Sequence, residues 1–571
     1  MVSILLLVAL TVSGMLAPAA LAQVKNFVPV TREMLLNPSP DDWLMLSRTY
    51  DEQRFSPLKQ IDKRNVSQLR MVWSRGLSPG IHENIPLVYR GALYVANPGG
   101  LQALDATNGD LIWDYRRKSA AGKAGRTISI FEDLIIYAAP DGFLVGVDAR
   151  TGEERWQTQS GSSSSGPKAI EDKIIAGVQA GPNGRARILA LDARTGKEAW
   201  RFYTAPGAGE PGDATWAEVP VDKRVANPWG LPGSYDPVRK RIYWGIANPI
   251  PFTRMKRHGG NPDAIPRSSP AELYSNSTVA LDPETGKLDW YYQYLPGDDW
   301  DEDHTHERIL LRTAVNPDPN EVKWINPRAH GSQERDVVVT MAEAGGIWVL
   351  DRDKGEFLWA TPFPYDSPDF HISKIDTETG KTYINWDSVF KKDGERHIVC
   401  SHNTKGFWPM AYHPGKNSIY VQYNDQCLDM TVDNKSASGF GPRNGILRPA
   451  GDVQKYGGLA KMNMATGKID WRYTQHAPTN GAVLATGGDL IFWGDMNRRF
   501  RAFDADSGKI LWETILGGII QMSTITYSVN GKQYVAVLTG DGTAGTTIPL
   551  EIVPDIKPPR GHNAVYVFAL P

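Results

Sequence analysis

The chain has 571 residues, of which 41% are apolar, with 18 Trp, 55 Gly and a formal charge of −2 at pH 7. That balance belongs to a β-rich globular protein, so it excludes a disordered chain and supplies no basic field for nucleic acid. Small molecules remain as partners.

Residues 1–22 carry the apolar run ILLLVAL and end in Ala20-Leu21-Ala22, a small-x-small cleavage pattern before Gln23. These features predict an export signal peptide and a periplasmic mature chain. The first residues lack Lys and Arg, so a short amphipathic anchor is the alternative. No later stretch approaches the ~20 apolar residues of a membrane span.

Seven times between residues 105 and 512 an Asp or Asn is followed four positions later by Gly and eight positions later by Trp. The copies are Asp105/Gly109/Trp113, Asp148/Gly152/Trp156, Asp192/Gly196/Trp200, Asp282/Gly286/Trp290, Asp351/Gly355/Trp359, Asn463/Gly467/Trp471 and Asp504/Gly508/Trp512. Apolar alternation before each Asp predicts a half-buried strand, and Asp-x-x-x-Gly supplies turn chemistry. The Trp then opens the next strand with a large apolar face for a neighbouring repeat. Copies lie about 40 residues apart where they are closest, room for four short strands, which predicts one β-propeller blade per copy. NVSQLRMVW near the start resembles a degenerate copy, and the terminal HNAVYVFAL is a strand without a following partner. If those two ends share a sheet, the ring closes without a free edge. The expected fold is therefore all-β, a single eight-bladed propeller with Trp-docking repeats over 23–571. The wider gaps on either side of Asp282 and after Asp351 leave room for insertions, where function concentrates.

Three segments hold polar residues that a scaffold does not need. VANPWGLPGSYDP sets Trp229 among Pro and Gly, either as blade packing or as a flat platform for an aromatic cofactor. RIYWGIANPIPF ends a strand at Asn248, a turn residue or a neutral oxygen ligand for a cation. YLPGDDWDEDHTHERIL is the densest, with Asp298, Asp299, Asp301, Glu302, Asp303, His304, His306 and Glu307. On extended backbone Asp301 and Asp303 project to one face, and two carboxylates there repel unless a cation or a shared proton separates them. A hard metal such as Ca²⁺ suits that pair; a solvated acidic loop is the alternative. His304 and His306 read as hydrogen-bonding residues, since imidazole favours transition metals. Cys400 and Cys427, an even pair in an exported chain, predict one disulfide, with two buried thiols as the alternative. No C-x-x-C-H is present, so no c-type haem is attached to these residues.

Taken together, the repeats, GIANP and the Trp-Asp of GDDWDED resemble the quinoprotein alcohol dehydrogenases, eight-bladed periplasmic enzymes that hold pyrroloquinoline quinone (PQQ) and Ca²⁺ at the centre of the propeller. The resemblance runs from DDWLMLSRTYDEQRFSPLKQI to NAVYVFALP. LVYRGALYVANPG and GDATW look most like the branch with sorbose/sorbosone dehydrogenases and related oxidases of bulky alcohols. The resemblance implies that Glu83 contacts the quinone, that Arg126 and Ser164 bind cofactor carboxylates, and that Trp229 lies flat against the PQQ ring. It also implies that Asn248 is a metal ligand, that Asp301 is the catalytic base beside the metal, and that Cys400 and Cys427 form a structural disulfide.

Departures from the family pattern carry expectations of their own. The vicinal cysteine pair of methanol dehydrogenase aligns with Ala120-Ala121, and the metal-binding Glu with Pro182. Asp303 is expected to restore the lost anionic ligand, and a carboxylate at this position also marks lanthanide-using relatives. The Arg or Lys that supports the quinone carbonyls aligns with Glu343, and an Asn near the cofactor with Gly406, so Lys405 is the expected replacement cation. The Trp that closes the methanol pocket aligns with Ala544, which implies a wider pocket, with the loop RMKRHGGNPDAIPRSSPAEL shaping its entrance. By this reading Asp301 takes the alcohol proton, the cation polarises the quinone, and electrons leave to a soluble cytochrome c. The rival class is a noncatalytic Trp-repeat propeller of the outer-membrane assembly type, which needs no inward cluster of Asn248 with Asp301.

Overall fold

The computed structural model describes residues 23–571 except 118–122, 183, 330, 368–369 and 544–546. Strands dominate, joined by short turns, with only three short α-helices among the described residues. No helix among them is long and apolar enough to cross a membrane.

Each repeat builds the same turn. A strand ends at or next to the Asp or Asn, as in Gly100–Asp105, Phe143–Asp148 and Arg187–Asp192. The side chain then accepts the amide two residues on, at 2.8 Å from Thr107 to Asp105 and 2.9 Å from Arg150 to Asp148. The Gly follows at φ between 67° and 79° in all seven copies, a region that a side chain disfavours. The Trp is the third residue of the next strand, for example in Leu111–Arg116 and Glu198–Tyr203.

That position sends each indole onto the following repeat. Trp73, Trp113 and Trp156 donate Nε1 to the carbonyls of Ala106, Ala149 and Ala193 in the next turn, at 3.0–3.2 Å. The glycine there is required for a second reason: a Cβ on Gly109, Gly152 or Gly196 would lie 2.5–2.8 Å from the preceding indole. Trp512 packs on Phe568 at 5.2 Å, edge to face. Phe568 lies in Ala564–Ala569, which pairs with the N-terminal strand Arg70–Gly76 that carries Trp73. The two chain ends thus share one sheet, and the succession of Trp contacts returns to its start. The result is an all-β propeller architecture, in which the described strands make eight antiparallel-based sheets of four or five strands and three smaller ones.

The smaller sheets lie in the wide gaps between repeats. One pairs Val225–Ala226 with Pro249–Ile250, and another pairs Ile372–Ile375 with Thr382–Ile384. The third aligns Arg396–Cys400, Gln426–Val432 and Phe440–Leu447. Cys400 and Cys427 stand opposite each other in it and are joined by a disulfide.

Candidate active site

The three wide gaps converge on a cavity of about 460 Å³. Asn248, Asp301 and Asp303 reach its wall with Arg126, Ser164 and Trp229. Six of the expected site residues, distant in sequence, therefore meet.

The acidic segment is not extended as its alternation suggested. Asp301 sits at φ 68°, a left-handed conformation that persists in a non-glycine residue only when its surroundings hold it. The holding group is Asp298, whose carboxylate accepts the amides of Trp300 at 2.6 Å, Asp301 at 3.0 Å and Glu302 at 3.0 Å. Asn276 fixes Asp298 in turn at 2.8 Å, and burial pushes its carboxyl up to about 7. Asp299 accepts the amides of Arg254 and Phe390 at 2.5 and 2.7 Å. Glu302 is buried against His402 and His371, and Glu307 against Lys405. Of this acid-rich run, only Asp301 and Asp303 line the cavity. His304 stacks on Tyr294 at 5.0 Å, and burial lowers it to about 3, so it is a neutral packing group.

Asp303 is tied from two sides, by Trp229 Nε1 at 2.6 Å and by the amide of Asn248 at 3.0 Å. The Asn248 amide Nδ2 also faces Asp301 Oδ1 at 3.4 Å. Burial first, and then the charge of Asp301, hold Asp303 well above the ordinary carboxyl range. Glu343 is raised by burial and by Asp303. Asp301 is raised by burial too, although the nearby Arg443 opposes it. Among the described residues no three His, Cys, Asp or Glu side chains form a metal cage by themselves. Asp301, Asp303 and the Asn248 amide make an incomplete oxygen-rich set, open to the cavity.

Two expected residues lie behind this wall. Glu83 pairs with Arg126 at 3.1 Å and accepts the Thr543 amide at 2.6 Å, while Arg126 also donates to the Gly230 carbonyl at 3.0 Å. Glu83 thus aims Arg126 rather than meeting the cavity directly. Removing one partner of a buried ion pair strands the other charge, so Glu83→Ala is expected to cost about 3–5 kcal/mol of stability, read as a lower midpoint in denaturant. Lys405 is fully buried with Nζ on Glu307 at 2.8 Å. It does not line the cavity, although it lies near enough to feel the charge of Glu343 on the cavity wall.

The loop expected at the entrance braces the acidic turn from beneath. Arg254 donates to the Gly297 carbonyl at 2.6 Å and Arg257 to the Asp298 carbonyl at 2.6 Å. The mouth takes Ile250 and Phe252 from just before that loop, and Ile548 from a C-terminal helix. Gly406 has no room for the expected Asn, because a Cβ there would lie 2.5 Å from the Trp408 ring. Pro182 is exposed, while Gln179 of the same segment lines the cavity. Ala120, Ala121 and Ala544 lie outside the described residues.

The cavity also holds residues that sequence reading missed, among them Lys123, Asn227, His402, Trp408 and Arg443. Lys123 was legible as the cation three residues before Arg126. Arg443 carried no signal, since it stands in an insertion without periodicity.

Comparison with known proteins agrees with this arrangement. A PQQ family model, described as glucose/ethanol/alcohol dehydrogenase, beta-propeller domain, matches residues 43–157, 154–362 and 448–535. The chain is 30% identical to quinohemoprotein alcohol dehydrogenase ADH-IIG of Pseudomonas putida over 603 aligned positions, covering 95% of this chain and 78% of that one. It is 28% identical to the lanthanide-dependent methanol dehydrogenase of Methylacidiphilum fumariolicum (strain SolV), covering 93% and 90%. A europium-containing methanol dehydrogenase structure superposes with a TM-score of 0.80 at 26% identity, over 94% of this chain and 100% of that one. The match extends across the propeller and across the segments that supply Asn248, Asp301 and Asp303, and this chain belongs to the PQQ-dependent alcohol dehydrogenase family.

Proposed function

We propose that this protein oxidises bulky alcohols (secondary, polyol, sugar or cyclic) to carbonyl compounds in the periplasm, using PQQ and a metal ion. Ca²⁺ is the first choice of metal and a lanthanide the second, and electrons pass to an external soluble cytochrome c. The observation that carries the reading is the meeting of Asn248, Asp301 and Asp303 on one wall with Trp229 and Arg126. On the same footing the eight larger sheets are the eight blades of one domain over 23–571, with a signal peptide before it.

The residues fit both groups. Lys123 and Arg126 present cations, and Ser164 a hydroxyl, to the same cavity, as a polycarboxylate such as PQQ requires. Trp229 is only partly buried and offers aromatic surface. Burial and neighbouring carboxylates raise Asp303 and Glu343, and burial raises Asp301; oxygen ligands of this kind suit a hard cation. When bound, PQQ polarised by the metal supplies the hydride acceptor. Asp301 accepts the hydroxyl proton of the alcohol as general base. Asp303 and Asn248 would hold the metal, and Trp229 Nε1 fixes the Asp303 carboxylate. Phe407 and Trp408 keep water from that end of the cavity. A noncatalytic scaffold leaves these inward, mutually repelling carboxyls without a purpose.

Substrate size follows from the mouth. Ile250, Phe252 and Ile548 give it an apolar rim, and an apolar pocket discriminates poorly against ligands it has room for. The test is reconstitution of the apo-protein with PQQ and either Ca²⁺ or La³⁺, followed by dye-linked assay on methanol, a primary C4 alcohol and a cyclic secondary alcohol. The cyclic alcohol is expected to exceed methanol in kcat/KM by at least about 10-fold. Preference for methanol overturns the substrate class, and absence of any activity overturns the reading.

A further inference from the structure

By the family resemblance, Glu343 stands where an Arg or Lys supports the quinone carbonyls. Glu343 lies on the cavity with Asp301 and Asp303, so the substitution adds a negative charge to a site that already has two. Of the other cations near the site, Lys123 lines the cavity but forms no ion pair with Asp301 among the described residues. Arg126 is held by Glu83 and Gly230, and Lys405 by Glu307.

Arg443 comes from a different direction. It stands on Phe440–Leu447, the last strand of the inserted three-stranded sheet. Its guanidinium lies 4.9 Å from the Phe440 ring and 5.9 Å from the Phe252 ring, and those two rings stack at 5.5 Å. The aromatic pair restricts the side chain and favours the cation over its face. From there Nη1 donates to Asp301 Oδ2 at 2.8 Å. No other ion pair to Asp301 is formed among the described residues. The strand itself is anchored: the Cys400–Cys427 disulfide pins the sheet, and Gly445 allows the helix Thr547–Ile552 to approach so closely that a Cβ would lie 2.6 Å from Ile548.

We infer that Arg443, supplied by the inserted sheet, is the positioning residue of the catalytic base. This rests on the alcohol dehydrogenase reading. By occupying Oδ2 it leaves Oδ1, on the Asn248 side, to meet the alcohol proton. The same placement puts a fixed positive charge against the metal ligands, where it competes with a bound cation for Asp301.

These two effects have opposite signs, which makes the inference testable. Arg443→Ala and Arg443→Lys are compared with wild type after reconstitution. Binding of Ca²⁺ and La³⁺ to the PQQ-loaded and PQQ-free proteins is followed separately by Trp fluorescence. A charge-assisted hydrogen bond to the base sets the scale, so Arg443→Ala is expected to lower kcat about 10- to 100-fold with little change in KM. Guanidinium added to the solution restores part of that loss, and Arg443→Lys retains more activity than Arg443→Ala. Metal binding by Arg443→Ala tightens, roughly 10-fold, because like-charge repulsion is removed. A merely structural role weakens catalysis and metal binding together and gives no rescue; that result overturns the inference, as does a kcat within twofold of wild type. If wild type itself gains no activity, the alcohol dehydrogenase reading fails instead, and the metal titration alone still shows whether Arg443 opposes a cation at Asp301.

Discussion

Asp301→Asn is expected to lower dye-linked alcohol turnover by ~10²–10⁴-fold, the usual loss when a positioned general base is removed. The effect should fall on kcat more than on cofactor loading, because Arg126, Ser164 and Trp229 remain in place on other segments. The fold should survive as well. The unusual backbone at Asp301 is set by Asp298, which accepts its amide and those of Trp300 and Glu302, so the side chain at 301 is not what shapes the turn. Steady-state kinetics of the reconstituted variant, with its thermal melt as control, decide the point. Near-normal turnover by a folded Asp301→Asn protein removes Asp301 from the role of base.

Asp303→Ala is expected to abolish metal-dependent reconstitution at Ca²⁺ concentrations that saturate wild type. Pro182 is exposed and supplies no ligand, so of the expected ligand set the loss leaves only Asp301 and the neutral Asn248 amide for a cation that seeks six to eight oxygens. A second measurement separates ligand loss from damage. Asp303 is raised well above its ordinary range by burial and by Asp301. A carboxyl whose pKa rises on folding subtracts stability at every pH above its unfolded value, and progressively more up to its folded value. In metal-free protein near neutral pH, Asp303→Asn is therefore expected to melt no lower than wild type, since the charge it removes is one the fold disfavours. Added metal should raise the wild-type melt, by about 2.7 kcal/mol at a hundredfold excess over Kd, and leave the variant unmoved. Equal Ca²⁺ and La³⁺ dependence in the two proteins sinks the assignment.

Some of this was legible without coordinates because it depends on local rules. The repeat turn needs a side-chain acceptor at its first position, a residue tolerant of positive φ at its fifth and a large apolar face at its ninth. Each requirement fixes a residue type at a fixed spacing, as at Asp105, Gly109 and Trp113. The shared terminal sheet followed from a related rule, because an unpaired strand leaves an exposed edge unless another strand covers it, as Arg70–Gly76 covers Ala564–Ala569. Asp301 and Asp303 stood out for a related reason, since paired carboxyls at a fixed offset are costly unless something uses them.

The sequence by itself determined the propeller's repeating units and the pairing of its ends, and it singled out Asn248, Asp301 and Trp229, which the fold brings to one cavity. Only the tertiary structure decided which charges meet. Lys405 is one residue from Gly406, and nearness in sequence made it the expected cation, yet its ammonium is paired with the buried Glu307 and does not line the cavity. Glu83, implied as a quinone contact, is paired with Arg126, a partner that its sequence position did not reveal. Arg443, 142 residues from Asp301, reaches it because an inserted sheet folds back over the cavity mouth. Strand and turn patterns are written in neighbouring residues, whereas the field at a carboxylate is the sum over whatever the fold brings within a few ångströms of it, and no spacing rule records that sum.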